Sequence, residues 1–305
     1  AAGADAIHVS ADGHPGRGAT YSTGHATDIP NNFVADAARI KAGLGIPVIC
    51  PGRIEPEDAD RFIAAGKLDF VTMGRKLLAD PHLPRKLAEG QREAVRPCIY
   101  CYTCISQIFF SRPVKCAVNP ETGFELERTL PRTAAPKHVA VIGGGPAGME
   151  SARRLARRGH RITLIEATGR LGGTAQFASI AYKPNQGIVD WLKRELRAEG
   201  VEVRLGTPAT PELLRNMGVE EVVVATGARR AMPAIPGADR ANVYSGDDMR
   251  KLMLGQDLGA IADKTGWATR AAMKAGAMTG LTKRPGFIRT ASEYWMPFGD
   301  TVAIV

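Results

Sequence analysis

Cys98, Cys101, Cys104 and Cys116 follow the spacing C-x2-C-x2-C-x11-C. Thiolates recurring every third residue on a tight loop can reach several irons of one cluster while a fourth arrives from a distance. Iron–sulfur centres take four cysteine ligands in this manner. Structural zinc is the competing chemistry, although it usually draws on two separated C-x2-C pairs. Unrelated buried thiols are the third reading. Cys50 lies in the apolar run Pro47-Val48-Ile49-Cys50 and reads as a core residue.

A second constellation is Gly143-Gly144-Gly145-Pro146-Ala147-Gly148, a G-x-G-x-x-G between a strand-like run and a helix-like one. Alone the pattern is weak, but here Glu166 ends the next apolar run 18 residues after the last glycine. Glycines let the backbone approach a pyrophosphate seated on a helix N-terminus, and the acid accepts from a ribose hydroxyl. Gly172-Gly173, Gln176, and the small-residue turn Thr226-Gly227 after Val222-Val223-Val224 are candidate further contacts. Arg153, Arg154, Arg157 and Arg158 read as a solvated helix face.

Gly52-Arg53 and Gly74-Arg75 each follow an apolar strand-like run. Glycine lets backbone N–H groups turn inward and arginine supplies charge, which together suit a phosphate. His14, in the loop Ala11-Asp12-Gly13-His14-Pro15-Gly16-Arg17, is a candidate acid or hydrogen-bond donor if that loop leaves the carboxyl end of a strand.

Positioning these groups requires βα units. Strands are expected at Ala6–Ser10, Pro47–Cys50 and Phe70–Met73, with helices at Phe33–Lys41, Pro56–Ala65 and Pro84–Glu89. Strands alternating with helices of about ten residues imply a parallel sheet. Residues 1–96 hold three such units, whereas a closed (β/α)8 barrel needs roughly 250 residues. Residues 97–136 carry the cysteines and then a Pro- and Arg-rich stretch that reads as a linker. A second α/β domain is expected over 137–250. Its strands are at 137–142, Arg161–Glu166, Val201–Arg204 and Glu221–Ala225, the last of them buried. Its helices are at Gly148–Arg158 and Ile188–Glu199. Residues 251–290 read as loosely helical. The chain begins without Met and ends in the strand-like Thr301-Val302-Ala303-Ile304-Val305, so a fragment of a longer protein is expected.

Composition bounds the rest. The chain has 305 residues, 44% hydrophobic, with 40 Lys+Arg against 31 Asp+Glu for a net charge of +9. That is too apolar for disorder, and no apolar run approaches the ~18–20 residues of a membrane-spanning helix. The start lacks the pattern of a signal peptide. The expectation is a cytoplasmic protein with a small-molecule substrate and neither nucleic-acid nor membrane partners. The basic balance suits phosphorylated cofactors or acyl-CoA esters.

Paired Gly-Arg loops, a C-x2-C-x2-C…C segment and then GGGPAG, in that order, resemble the multi-cofactor branch of the old yellow enzyme (NADH:flavin oxidoreductase) family. Its familiar members include 2,4-dienoyl-CoA reductase and trimethylamine dehydrogenase. The resemblance covers residues 1 to about 250. It implies the C-terminal part of an FMN-binding (β/α)8 barrel followed by a Rossmann-like FAD-binding domain. In the family, Gly52, Arg53, Gly74 and Arg75 would match the FMN phosphate loops. Cys98, Cys101, Cys104 and Cys116 would match the ligands of a 4Fe-4S cluster. Gly143, Gly145, Gly148 and Glu166 would match the FAD fingerprint, with Gly173, Gln176, Thr226 and Gly227 nearby.

His14, with Arg17, falls where the reductase has its active-site histidine. The tail resembles the first strand of an NAD(P)H-binding domain. The implied activity is reduction of the C=C bond of an α,β-unsaturated carbonyl or enoyl-CoA, with electrons passing from NAD(P)H through FAD, the cluster and FMN. The two-residue gap before the third cysteine is that of the amine dehydrogenase. An amine dehydrogenase feeding an electron-acceptor protein is therefore one alternative, and a cluster-bearing electron-transfer module without its own substrate is another. The early barrel strands, with the family's catalytic tyrosine, have no counterpart here, and residues 256–298 match nothing in the pattern.

Overall fold

The computed structural model describes residues 3–10, 30–228, 232–295 and 302. The chain divides into two compact units, Ala1–Thr129 and Leu130–Val305. Among the described residues no helix is long and apolar enough to cross a membrane.

The first unit is built on a parallel sheet of β1 (Ile7–His8), β2 (Val48–Cys50) and β3 (Phe70–Val71), with β2 in the middle. Register is Ile7↔Val48 and Ile49↔Phe70. Helices α1 (Val34–Ala42) and α2 (Pro56–Ala64) follow β1 and β2. Ala37 and Ala59 are buried, and the core runs through Phe33, Val48, Cys50, Ile54 and Leu68. Pro56 opens α2 at a position where its missing N–H costs nothing. Three short helices continue the unit: α3 (Gly74–Ala79), α4 (Leu83–Ala88) and α5 (Thr103–Phe109). The last lies within the cysteine segment, ahead of the stretch expected to be linker.

The second unit has β4 (His138–Ile142), α6 (Pro146–Arg157), β5 (Arg161–Ile165), α7 (Gly173–Ala181), α8 (Pro184–Ala198), β6 (Glu202–Arg204), α9 (Pro211–Asn216) and β7 (Glu221–Val224). The strands form a parallel sheet in the order β6-β5-β4-β7. Burial differs from expectation at two places. β7 is an edge strand, not a buried one. Among the described residues it pairs with β4 alone, and Val224 is 70% exposed. Arg153 is not solvated: at 2% exposure it pairs with Glu150 at 2.7 Å and Glu195 at 3.5 Å, and lies 5.3 Å from the Trp191 ring. A buried guanidinium persists only when paired in this way.

Residues 246–294 are firmly helical where only loose helicity was expected. They form α10 (Gly246–Leu254), α11 (Trp267–Met278) and α12 (Pro285–Tyr294). Ser245 and Asp248 form a reciprocal capping box on α10, and Gly255 ends it at φ 63°. Ile180 of α7 packs with Leu254 and Ile288. Arg289 of α12 donates to the carbonyls of Ile180 at 2.8 Å and Ser179 at 2.5 Å, which α7 leaves without intrahelical partners at its C-terminus. These helices line a partly open apolar pocket of about 400 Å³, with Met253, Met273, Phe287 and Trp295 among its walls.

Candidate functional site

β2 and β3 are parallel neighbours, so the loops leaving their carboxyl ends lie side by side. Gly52 adopts φ 116°, and a Cβ there would stand 2.9 Å from the Phe33 ring. Arg53 follows at φ 58°. Its guanidinium lies 4.4 Å from the centroid of the Tyr100 ring, and that of Arg75 lies 5.2 Å from the same centroid and 5.3 Å from that of Tyr102. The Lys76 ammonium, one residue further along α3, is 5.0 Å from the Tyr100 centroid. Three cations therefore gather around one buried aromatic ring.

Hydrogen bonds fix that ring. Lys76 Nζ donates to Glu55 Oε1 at 2.5 Å and to the Tyr100 hydroxyl. The hydroxyl in turn donates to Glu55 Oε1 at 2.9 Å. Burial pushes the Tyr100 phenol well up, with Glu55 adding to the effect, so it stays a protonated donor. Burial pulls Lys76 below the ordinary lysine range, against the attraction of Glu55. The donor set of two guanidiniums, an ammonium and a left-handed glycine turn suits the dianionic phosphate of FMN.

The cysteines lie on the next segment. The Tyr100 N–H donates to Cys98 Sγ at 3.4 Å, and Cys101 Sγ is 3.2 Å from Thr103 Oγ1. Burial pushes the Cys98 thiol up to about 11 and also raises Cys104, with Cys116 adding to both. Cys116 is thus an electrostatic neighbour of both, although eleven residues separate it from Cys104. Among the described residues, no three His, Cys, Asp or Glu side chains converge closely enough to hold a metal ion. The four thiols have the donor chemistry of an iron–sulfur ligand set but are not drawn into one. Four thiolates repel each other until a metal compensates them, and metal binding and local folding are coupled.

In the second unit the glycine loop is set by packing. A Cβ on Gly148 would stand 1.9 Å from the Gly143 carbonyl oxygen, and one on Gly143 would stand 2.4 Å from that of Ala225. Gly145, the residue capping α6, has nothing within 4 Å of the same point. That leaves open space before a helix N-terminus, the arrangement that receives a pyrophosphate such as FAD carries. Glu166 Oε2 accepts from Gly144 N at 2.6 Å, and its Oε1 accepts from Thr168 N at 2.8 Å and Oγ1 at 2.7 Å. Gly172 N donates to Gly144 O at 2.8 Å, and a Cβ on Gly173 would stand 3.0 Å from the Gly145 Cα. Gln176 is buried with its Oε1 unpartnered, and its Nε2 lies 3.4 Å from Lys283 O. Thr226 and Gly227 follow β7 and are exposed. The fold thus joins Gly143, Gly145, Gly148, Glu166, Gly172 and Gly173 around one loop.

Residues 18–94 match the model of the NADH:flavin oxidoreductase / NADH oxidase family. Residues 137–258 match that of the pyridine nucleotide-disulphide oxidoreductases. Two separate stretches of the chain thus match two families of flavin- and pyridine-nucleotide-dependent oxidoreductases. It is 39% identical over 214 residues to a cinnamate reductase of Clostridium sporogenes, covering 69% of this chain and 32% of that protein. A structure of 2-naphthoyl-CoA reductase with 2-naphthoyl-CoA aligns at TM-score 0.70 and 30% identity, over 74% of this chain and 35% of the other. Histamine dehydrogenase from Rhizobium sp. 4-9 aligns at TM-score 0.67 and 28% identity, over 70% and 32%. The chain spans about a third of the length of the curated relatives it matches.

Sequence reasoning missed Glu55, Lys76 and Tyr100. A bulky residue inside a C-x2-C turn was a signal for Tyr100. Nothing in the sequence pairs Glu55 with it across 45 positions. His14 and Arg17 lie outside the described residues.

Proposed function

We propose that this chain is part of an NAD(P)H-dependent flavin and iron–sulfur oxidoreductase that reduces the C=C bond of an α,β-unsaturated carbonyl or enoyl thioester. The observation that carries this reading is the convergence of Arg53, Arg75 and Lys76 on Tyr100, one of the two residues between the first two cysteines. It sets a phosphate-binding donor set against a four-thiol segment. The similarity to a cinnamate reductase and to 2-naphthoyl-CoA reductase favours a conjugated acid or thioester as substrate.

On this reading the first unit contributes the last βα units of an FMN-binding (β/α)8 barrel, and the second is a Rossmann-like FAD domain. Arg53, Arg75 and the Gly52 and Gly74 loops hold the FMN phosphate. Gly143, Gly145 and Gly148 admit the FAD pyrophosphate, Glu166 fixes the loop and faces the ribose, and Gly173, Gln176, Thr226 and Gly227 flank it. Cys98, Cys101, Cys104 and Cys116 hold the 4Fe-4S cluster. When bound, the flavins supply hydride and single-electron exchange and the cluster single-electron exchange. His14 is assigned proton or hydrogen-bond donation to the substrate. No nucleic acid or membrane takes part, and the expected compartment is the cytoplasm.

The test is cofactor analysis of anaerobically purified holoprotein. FMN, FAD, iron and acid-labile sulfide should all be present, and Arg53→Ala or Arg75→Ala should lower FMN content with FAD unchanged. Stoichiometric zinc without sulfide would refute the cluster, and unchanged FMN in both variants would refute the phosphate site.

The cysteine spacing and the likeness to histamine dehydrogenase favour a second reading, an amine dehydrogenase passing electrons to an acceptor protein. Reduction of the bound flavin by an amine alone, without NAD(P)H, would decide for it.

A further inference from the structure

Tyr100 stands at φ 51° and Tyr102 at φ 63°, a left-handed backbone that glycine adopts freely and a tyrosine adopts only when its surroundings hold it there. The surroundings at Tyr100 are specific. Its N–H reaches Cys98, its hydroxyl bridges Lys76 and Glu55, and its ring lies within 4.4 and 5.2 Å of two guanidiniums. Glu55 and Lys76 fix the far end of the ring, so its faces have one orientation. Stacking engages the flat face of a guanidinium and leaves the N–H edge to aim at an anion.

We infer that Tyr100 is a positioning residue that orients Arg53 and Arg75 and so makes this site select a phosphorylated flavin over its unphosphorylated counterpart. The inference rests on the FMN reading above. A loop residue that merely filled space would affect both flavins alike, because the two differ only in the phosphate. A residue that acts through the two arginines affects FMN alone.

The experiment is titration of the flavin-depleted full-length protein with FMN and with riboflavin, for wild type, Tyr100→Gly and Tyr100→Phe. Glycine accepts the left-handed backbone and removes the ring, so the loop keeps its path. The expected result for Tyr100→Gly is a rise of roughly tenfold in the FMN Kd, the order of one or two lost cation–π contacts, with riboflavin affinity unchanged. Tyr100→Phe keeps the ring and loses its tether, and should fall between wild type and Tyr100→Gly. Equal weakening of both flavins, or an unchanged preference for FMN in Tyr100→Gly, would overturn the inference while leaving the FMN site standing. Wild type that binds riboflavin as tightly as FMN would overturn the phosphate reading and the inference with it.

Discussion

Gly145 and Gly148 stand three positions apart in one motif, yet the structure asks different things of them. A methyl group on Gly148 would press into the Gly143 carbonyl at 1.9 Å, where backbone must shift to make room. A methyl group on Gly145 would meet nothing and would occupy the open space before α6. Overpacking against backbone costs roughly 1–3 kcal/mol. Gly148→Ala should therefore lower the Tm of the chain by several degrees. Gly145→Ala, at an extended backbone any residue tolerates, should leave Tm unchanged and weaken FAD binding. Thermal unfolding and FAD titration on the two variants separate the packing glycine from the ligand glycine. At Tyr100 a similar contrast holds in energy. A left-handed non-glycine residue costs about 1–2 kcal/mol, and each desolvated cation–π contact returns about 0.5–2 kcal/mol.

At the scale of elements, hydrophobic patterning was legible and long-range contacts were not. The strands and main helices of both sheets fall within a few residues of their expected places, because parallel strands read as apolar runs and their helices as periodic ones. α7 escaped, and α11 was read only as loosely helical, because Ala- and Gly-rich stretches blur helical periodicity. α10 announces itself by the Ser245-x-x-Asp248 spacing, a signal that apolar periodicity does not register. The exposure of β7 could not be read, since an all-valine run looks the same at an edge and in the middle of a sheet.

Asp248 makes that helix sensitive to acid. Burial would raise its pKa, but hydrogen bonds from Lys264 at 2.9 Å and from Ser245 outweigh it and hold the carboxyl below its ordinary 3.8. A carboxylate whose folded pKa lies below its unfolded one stabilises the fold above the unfolded value. That contribution is lost as the pH falls through the folded value. Hydrogen exchange across residues 246–295 should accelerate as the pH drops below about 3.8, once the intrinsic pH dependence of exchange is removed. Asp248→Asn should speed exchange at neutral pH and flatten the acid response. Ser245→Ala should cost about 1 kcal/mol of local stability.

At the scale of the whole molecule, exposed apolar side chains stand on open strand edges and in the cysteine segment. β1 and β3 each have a strand on one side only among the described residues, and Phe70 on β3 is 58% exposed. Ile108, Phe109 and Phe110, beside the cysteine segment, are 71%, 67% and 65% exposed, and Val224 on the edge strand β7 is 70% exposed. Open strand edges and contiguous apolar residues are templates for association. This chain, expressed by itself, should self-associate at micromolar concentration and retain no FMN. Sedimentation velocity across a dilution series reads the first outcome, and flavin fluorescence after gel filtration reads the second. Replacing Phe109 and Phe110 by serine should shift the distribution toward monomer without altering helix content, because neither side chain contributes to a buried core. Lysine at Val224 should do the same at the other unit by placing a charge on the open edge of β7. A soluble monomer carrying bound FMN would mean that three βα units suffice for the phosphate site, and would favour a small self-contained α/β domain over part of a closed barrel.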